Sequence, residues 1–164
     1  MIYQRVMLIL ITVMIFWGSV FSQNSQLIPT NHGVIHYKIF GKGKPLVIIN
    51  GGPGMNSEGF AGLAEQLAKE GFLCIIYDQR GTGKSEMKKV DSTTITMKNM
   101  VEDLEVLRKH LKLEKWTVFG QSFGGLLATQ YTHTYPKSIE KLIFSNSGGL
   151  NMDFLNYVGK RIDN

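Results

Sequence analysis

The sequence predicts an α/β protein built on a mostly parallel sheet with helices on both of its faces. Three observations point there: short continuous apolar runs of the kind buried parallel strands show, amphipathic stretches of helical period between them, and glycine-rich motifs directly after several of the runs. The 164 residues, 43% hydrophobic and 19% charged, are enough for one domain with a core and too few for two. The net charge of +5 is scattered among acids rather than gathered in a stripe, which sets nucleic acid aside as a partner.

The first residues are of a different kind. Arg5 precedes an uncharged apolar run from Val6 to Val20, and Val20-Phe21-Ser22 before Gln23 suits a signal peptidase. Residues 1–22 are therefore expected to be a secretory signal, giving a secreted or periplasmic product with no membrane attachment once cut. The alternative, an uncleaved anchor, calls for roughly 18 to 20 spanning residues, more than this run supplies. A single cysteine, Cys74, lies in an apolar run, so no intrachain disulfide or cysteine metal site can form, and none near the signal could carry a lipid.

Beyond a polar stretch from Gln23 to Gln26, Leu27 to Thr30 and Val34 to Phe40 read as two strands around an Asn31-His32-Gly33 turn. After the turn Gly41 to Pro45 the pattern alternates. Leu46 to Asn50 reads as strand, Phe60 to Glu70 as helix, Leu73 to Tyr77 as strand and Met97 to Leu111 as helix. Trp116 to Phe119 (strand), Phe123 to Tyr135 (helix, stopped by Pro136) and Leu142 to Phe144 (strand) continue it. In the second helix Met97, Met100, Val101, Leu104, Leu107 and Leu111 recur at helical spacing and form a core stripe, with Thr96 as N-cap.

Three of the connecting loops carry motifs, and each follows a strand, so the three share one rim of the sheet, where open α/β sheets bind ligands. In Gly120-Gln121-Ser122-Phe123-Gly124-Gly125 an apolar run leads in and a helical pattern leads out, the setting of a nucleophile elbow; Ser122 is the candidate nucleophile. The alternative is a glycine-rich turn with a solvated serine. In Asn50-Gly51-Gly52-Pro53-Gly54 the glycines leave backbone amides open. If Ser122 attacks a carbonyl, the amides of Gly52 and Phe123 are the two expected oxyanion donors, against the alternative of an ordinary turn into the next helix. The third loop, Asp78 to Ser85, ends in Gly-Lys-Ser, but the glycine a P-loop needs five positions before Gly83 is Asp78, so phosphate binding is rejected. An ion pair between Asp78 and Arg80 is expected to brace the rim instead.

Taken in order, these motifs resemble the α/β-hydrolase superfamily, and the front half of the chain looks most like the proline iminopeptidase group. That group carries His-Gly-Gly-Pro-Gly, Asp-Gln-Arg-Gly-x-Gly-x-Ser and Gly-x-Ser-x-Gly-Gly; the matches here are Gly51 to Gly54, Asp78 to Ser85 and Gly120 to Gly125. Asn50 stands where the group has histidine. The resemblance implies a serine hydrolase working through an acyl-enzyme, an aminopeptidase acting on peptide or small-molecule substrates without cofactor or metal. It also implies a triad acid and histidine later in the chain order than the serine.

The one histidine after Ser122 is His133, eleven residues along the same helix and about 16 Å up its axis, too far for a general base. His32, His36 and His110 read as structural or exposed, and Asp153 is set aside as the acid. The expectation is therefore a sheet incomplete at its C-terminal side: residues 23–149 as the N-terminal part of a hydrolase domain and 150–164 as the start of a helical cap. Esterase or lactonase activity on the same scaffold, or a degenerate hydrolase that serves as a binding protein, are the alternatives. Mass spectrometry of exported protein is expected to find Gln23, free or cyclised, at the N-terminus; an intact Met1 form held in membrane would contradict the signal.

Overall fold

The computed structural model describes residues 24–147; the expected signal segment, the expected cap and Asp153 lie outside the described residues. Asn24–Thr30 (β1) and Gly33–Phe40 (β2) form a hairpin, followed by Lys44–Ile49 (β3), a 3₁₀ turn Glu58–Phe60 and the helix Ala61–Lys69 (α1). Phe72–Tyr77 (β4), Met97–His110 (α2), Trp116–Gln121 (β5), Phe123–Thr134 (α3), a 3₁₀ turn Pro136–Ser138 and Ile139–Ser145 (β6) complete the order.

The six strands make one sheet in the order β1-β2-β4-β3-β5-β6. The hairpin is antiparallel and joins β4 antiparallel, whereas β4, β3, β5 and β6 run parallel. Alternation along the inner strands divides the apolar residues between two faces. Val47, Ile49, Ile75 and Tyr77 pack on one side with Met100, Val101, Leu104 and Leu107 of α2 and Leu127, Ala128 and Tyr131 of α3. Leu46, Ile48, Cys74 and Ile76 face the other side, against Ala64 and Ala68 of α1. Helices therefore cover both faces, and the inner strands read as unbroken apolar runs because neither face meets water.

The stripe expected on α2 is the one that packs, and Thr96 caps it by accepting the Asn99 amide at 3.1 Å. Trp116 at the start of β5 is fully buried, edge-on to Tyr131 with ring centres 6.0 Å apart. Tyr131 places its hydroxyl 2.9 Å from the Glu105 carboxylate, which is itself held by Arg108. Cys74 is buried and unpaired, and burial pushes its thiol up to about 11.

Two strands are longer than expected by three or more residues. The polar stretch before Leu27 belongs to β1, because the hairpin ladder continues to Asn24 opposite Ile39 and an edge strand with one face in water has no need of apolar residues there. β6 pairs with β5 along its whole length although Glu140 and Lys141 interrupt its apolar pattern; both face solvent at the edge of the described sheet.

The expected Asp78–Arg80 ion pair does not form. Arg80 turns to α2 instead, where its Nε and Nη2 bond both oxygens of Asp103 at 2.7 Å while Nη1 and Nη2 also reach the carbonyls of Thr94 and Asn99. Both side chains are about 95% buried, and a planar guanidinium satisfies a buried carboxylate and two carbonyls at once, which a lone neighbouring aspartate could not offer.

Candidate active site at the carboxyl ends of β3, β4 and β5

β5 ends at Gln121 and α3 begins at Phe123, so Ser122 alone makes the reversal from strand to helix. It does so with φ 50° and ψ −118°, a conformation that favours glycine and costs a residue with a side chain on the order of 1–3 kcal/mol. Two backbone bonds hold it there: the Ser122 amide donates to the Ser145 carbonyl at 3.0 Å, and the Gly125 amide donates to the Ser122 carbonyl at 2.9 Å.

The three glycines around Ser122 are required by contact. A Cβ on Gly124 would sit 2.2 Å from the Ile49 carbonyl oxygen at the end of β3, and one on Gly120 would sit 2.6 Å from the Gly124 carbonyl oxygen. At Gly125 it would sit 2.1 Å from Ser147 Oγ. At Gly124 and Gly120 backbone thus meets backbone where α3 leaves the sheet, and no rotamer change could make room for a side chain, whereas at Gly125 the neighbour is the side chain of Ser147.

The glycine loop after β3 lies directly against this turn. A Cβ on Gly51 would approach Ser122 Cβ to 2.9 Å and Gln121 Oε1 to 2.1 Å, while Gly52 adopts φ +66°. Among the described residues, neither the Gly52 nor the Phe123 amide has a protein acceptor. Two donors therefore remain open in the loop and at the helix start that border Ser122. Asn50, in the histidine position of the resembled group, is buried and braces the loop from within: its Nδ2 donates to the carbonyls of Gly51 and Met55 at 3.1 and 3.0 Å.

The loop after β4 clamps the glycine loop at both ends. Gln79 Nε2 donates to the Asn50 carbonyl at 2.8 Å, at its start. Asp78 Oδ1 accepts from the Ser57 amide and hydroxyl, both at 2.8 Å, just past its end. The other Asp78 oxygen accepts from the Lys84 amide and from His36 Nδ1, each at 2.9 Å. Burial pushes the Asp78 carboxyl up, but the donors from Lys84, Ser57 and His36 outweigh it and hold it below its ordinary value of 3.8. The stability Asp78 contributes is thus present above that value and lost as the pH falls through the lowered one.

The histidines fall as read from sequence, with one addition. His32 is exposed at the hairpin turn and His133 is exposed in the last turn of α3. His110 ends α2 edge-on to Tyr37. None of these three is brought to Ser122 by a contact in the structure, whereas His36 is 4% exposed and fully engaged between Asp78 and Ser25. Gln79 and Asp103 carry positioning roles that the sequence did not disclose, and Asp78 braces the rim through Ser57, Lys84 and His36 rather than through Arg80. A local signal existed for Asp103, which sits beside Leu104 on the buried flank of the α2 stripe and so required a cation. The described residues contain no group of three or more His, Cys, Asp or Glu that could hold a metal ion.

Residues 44–158 match the family model described as alpha/beta hydrolase fold. A proline iminopeptidase of Lactobacillus helveticus (strain DPC 4571) is 40% identical over 116 residues, covering 68% of this chain and 40% of that enzyme. The chain spans about 40% of the length of that relative. Among solved structures, a proline iminopeptidase-related protein from Thermus thermophilus matches with TM-score 0.65 and 27% identity over 75% of this chain and 44% of that one. An esterase from Exiguobacterium antarcticum matches with TM-score 0.68 and 28% identity over 77% of this chain and 46% of that one.

Replacing Gly124 by valine is expected to remove about 3 kcal/mol of stability, the upper end of what overpacking costs, because the colliding atoms are main-chain carbonyls that cannot swing away. Urea denaturation checks this; a Gly124→Val chain with unchanged midpoint would contradict the contact.

Proposed function

The chain belongs to the α/β-hydrolase fold family, and on that premise we propose that it carries the nucleophile and oxyanion half of a serine hydrolase of the proline iminopeptidase kind. The observation that carries the reading is Ser122, alone at a strained strand-to-helix turn, bordered by two backbone amides that have no acceptor among the described residues.

In this reading Ser122 Oγ attacks the carbonyl of the scissile bond, and the carbonyl oxygen, now an anion, is held by the amides of Gly52 and Phe123. Collapse expels the leaving amine and leaves an acyl-enzyme, which water then hydrolyses. Each oxyanion donor lowers the barrier by about 3 kcal/mol. The aligned part of the L. helveticus enzyme is 40% of its length, and a base and acid for Ser122 come, on this proposal, from the remaining length. Residues 1–164 by themselves would then have little turnover. Export through segment 1–22 belongs to the same proposal, as does release of N-terminal residues, proline among them. Ester hydrolysis is the second reading, supported by the 28% identity to the Exiguobacterium esterase.

The test starts from the gene. Reading in frame past the codon for Asn164 is expected to reveal an aspartate and a histidine on later strands; a stop codon there would contradict the proposal and favour a non-catalytic binding protein. In the extended chain, Ser122→Ala is expected to lower kcat for proline p-nitroanilide by at least about 1,000-fold with melting temperature unchanged. Full turnover in that variant would remove Ser122 as the nucleophile, and a preference for p-nitrophenyl esters over the anilide would favour the esterase reading.

A further inference from the structure

A second serine, far in sequence from the elbow, stands at the end of a proton relay. Ser25 Oγ lies 2.7 Å from His36 Nε2, and His36 Nδ1 lies 2.9 Å from Asp78 Oδ2. The hairpin register produces this arrangement: Ser25 pairs with Lys38 and Leu27 with His36, so Ser25 and His36 are diagonal neighbours on one face. The antiparallel junction of β2 with β4, which ends at Tyr77 opposite Tyr37, then delivers Asp78 to the far side of the ring.

With the His36 ring neutral, the hydrogen bonds run in one direction. Asp78 accepts four hydrogen bonds, two from Ser57 and one each from Lys84 and His36, and as a carboxylate it can only accept, so His36 Nδ1 carries a ring proton. A neutral imidazole then presents a bare lone pair at Nε2, and the Ser25 hydroxyl must point its hydrogen at it. That is a hydroxyl aimed at a positioned base, the arrangement that activates a serine. The base is 4% exposed while the serine is exposed, so the nucleophile is open to solvent and its activator is shielded. Lys38, directly opposite Ser25, brings an ammonium to the same region, tied at 2.6 Å to Glu58, and Leu27, 59% exposed, offers an apolar neighbour.

We infer that Ser25 and His36, with Asp78 as the positioning residue, form a second nucleophilic centre, separate from Ser122, that takes short acyl groups from activated esters. Ser25 Oγ adds to the ester carbonyl as His36 Nε2 takes the hydroxyl proton. The new O–C bond persists when the ester C–O bond breaks, the leaving alkoxide takes the proton from the imidazolium, and acyl-Ser25 remains. Water attacking that ester through the same base returns the serine and releases the acid. The centre lies on an open sheet face, which suits small acyl donors.

The test uses the full chain carrying Ser122→Ala, so that the outcome does not depend on the elbow, with p-nitrophenyl acetate as the probe. The expected result is one acetyl group mapped by peptide mass spectrometry to Ser25. Adding His36→Asn, which keeps a donor for Asp78 but removes the base, is expected to slow Ser25 acetylation at least about 100-fold with the fold retained. Acetyl groups on lysines alone, or a Ser25 rate that His36→Asn leaves unchanged, would overturn the inference. If His36→Asn fails to fold, a comparison within the Ser122→Ala chain decides: Ser25 acetylated no faster than the exposed Ser92 would overturn it equally.

Discussion

The contact on which the site depends is the one between Gly124 and the end of β3, where main chain touches main chain. With a Cβ excluded at 2.2 Å from the Ile49 carbonyl oxygen, α3 can start so close to the sheet that Ser122 is forced into a conformation few residues adopt. The same closeness places the glycine loop beside Ser122, and the Phe123 amide, the first of the helix, has no acceptor among the described residues. Strain of this size survives because the surroundings over-determine it: the β5–β6 ladder ends in the bond from Ser122 to Ser145, and the parallel β3–β5 pairing fixes the other side.

Around that contact the loop after β4 acts as a bracket. Asp78 and Gln79 are consecutive, yet one side chain secures the glycine loop near its end and the other at its start. Arg80, the next residue, ties the same loop to α2 through Asp103. Three successive side chains therefore fix the glycine loop and α2 relative to β4, and the hairpin joins through His36. Removing one partner from such a buried charged network is costly, about 3–5 kcal/mol for a broken buried ion pair, because a desolvated charge is left behind.

The elements of the fold and the strand-to-helix turn at Ser122 were legible in the sequence because they are written in local pattern. The apolar runs of β3, β4 and β5, the stripe on α2, the Thr96 cap and the stop at Pro136 each depend on residues within a turn or two of one another. What was not legible is long-range. Whether Arg80 pairs with Asp78 or with Asp103 is settled by where α2 packs, and the approach of Ser25 to His36 is settled by hairpin register. The extra length of β1 and β6 was hidden for a related reason: edge strands gain their hydrogen bonds from one neighbour and are free to be polar, so periodicity underreports them. Asn50 reads as a departure from the resembled group's histidine, and its bracing bonds to Gly51 and Met55 were beyond any sequence pattern.

The central claim is that Ser122 occupies its turn at an energetic cost that a functional side chain, and not folding, requires. Comparing the thermal stability of Ser122→Gly with that of Ser122→Ala tests it most directly, since both remove the hydroxyl and glycine alone relieves φ 50°. Strain of about 2 kcal/mol, the middle of the usual range, less the 0.5–1 kcal/mol glycine loses in chain entropy, leaves about 1–1.5 kcal/mol and predicts that the glycine variant melts about 3 °C or more above the alanine variant. A glycine variant equal to or below the alanine variant in melting temperature would contradict the account.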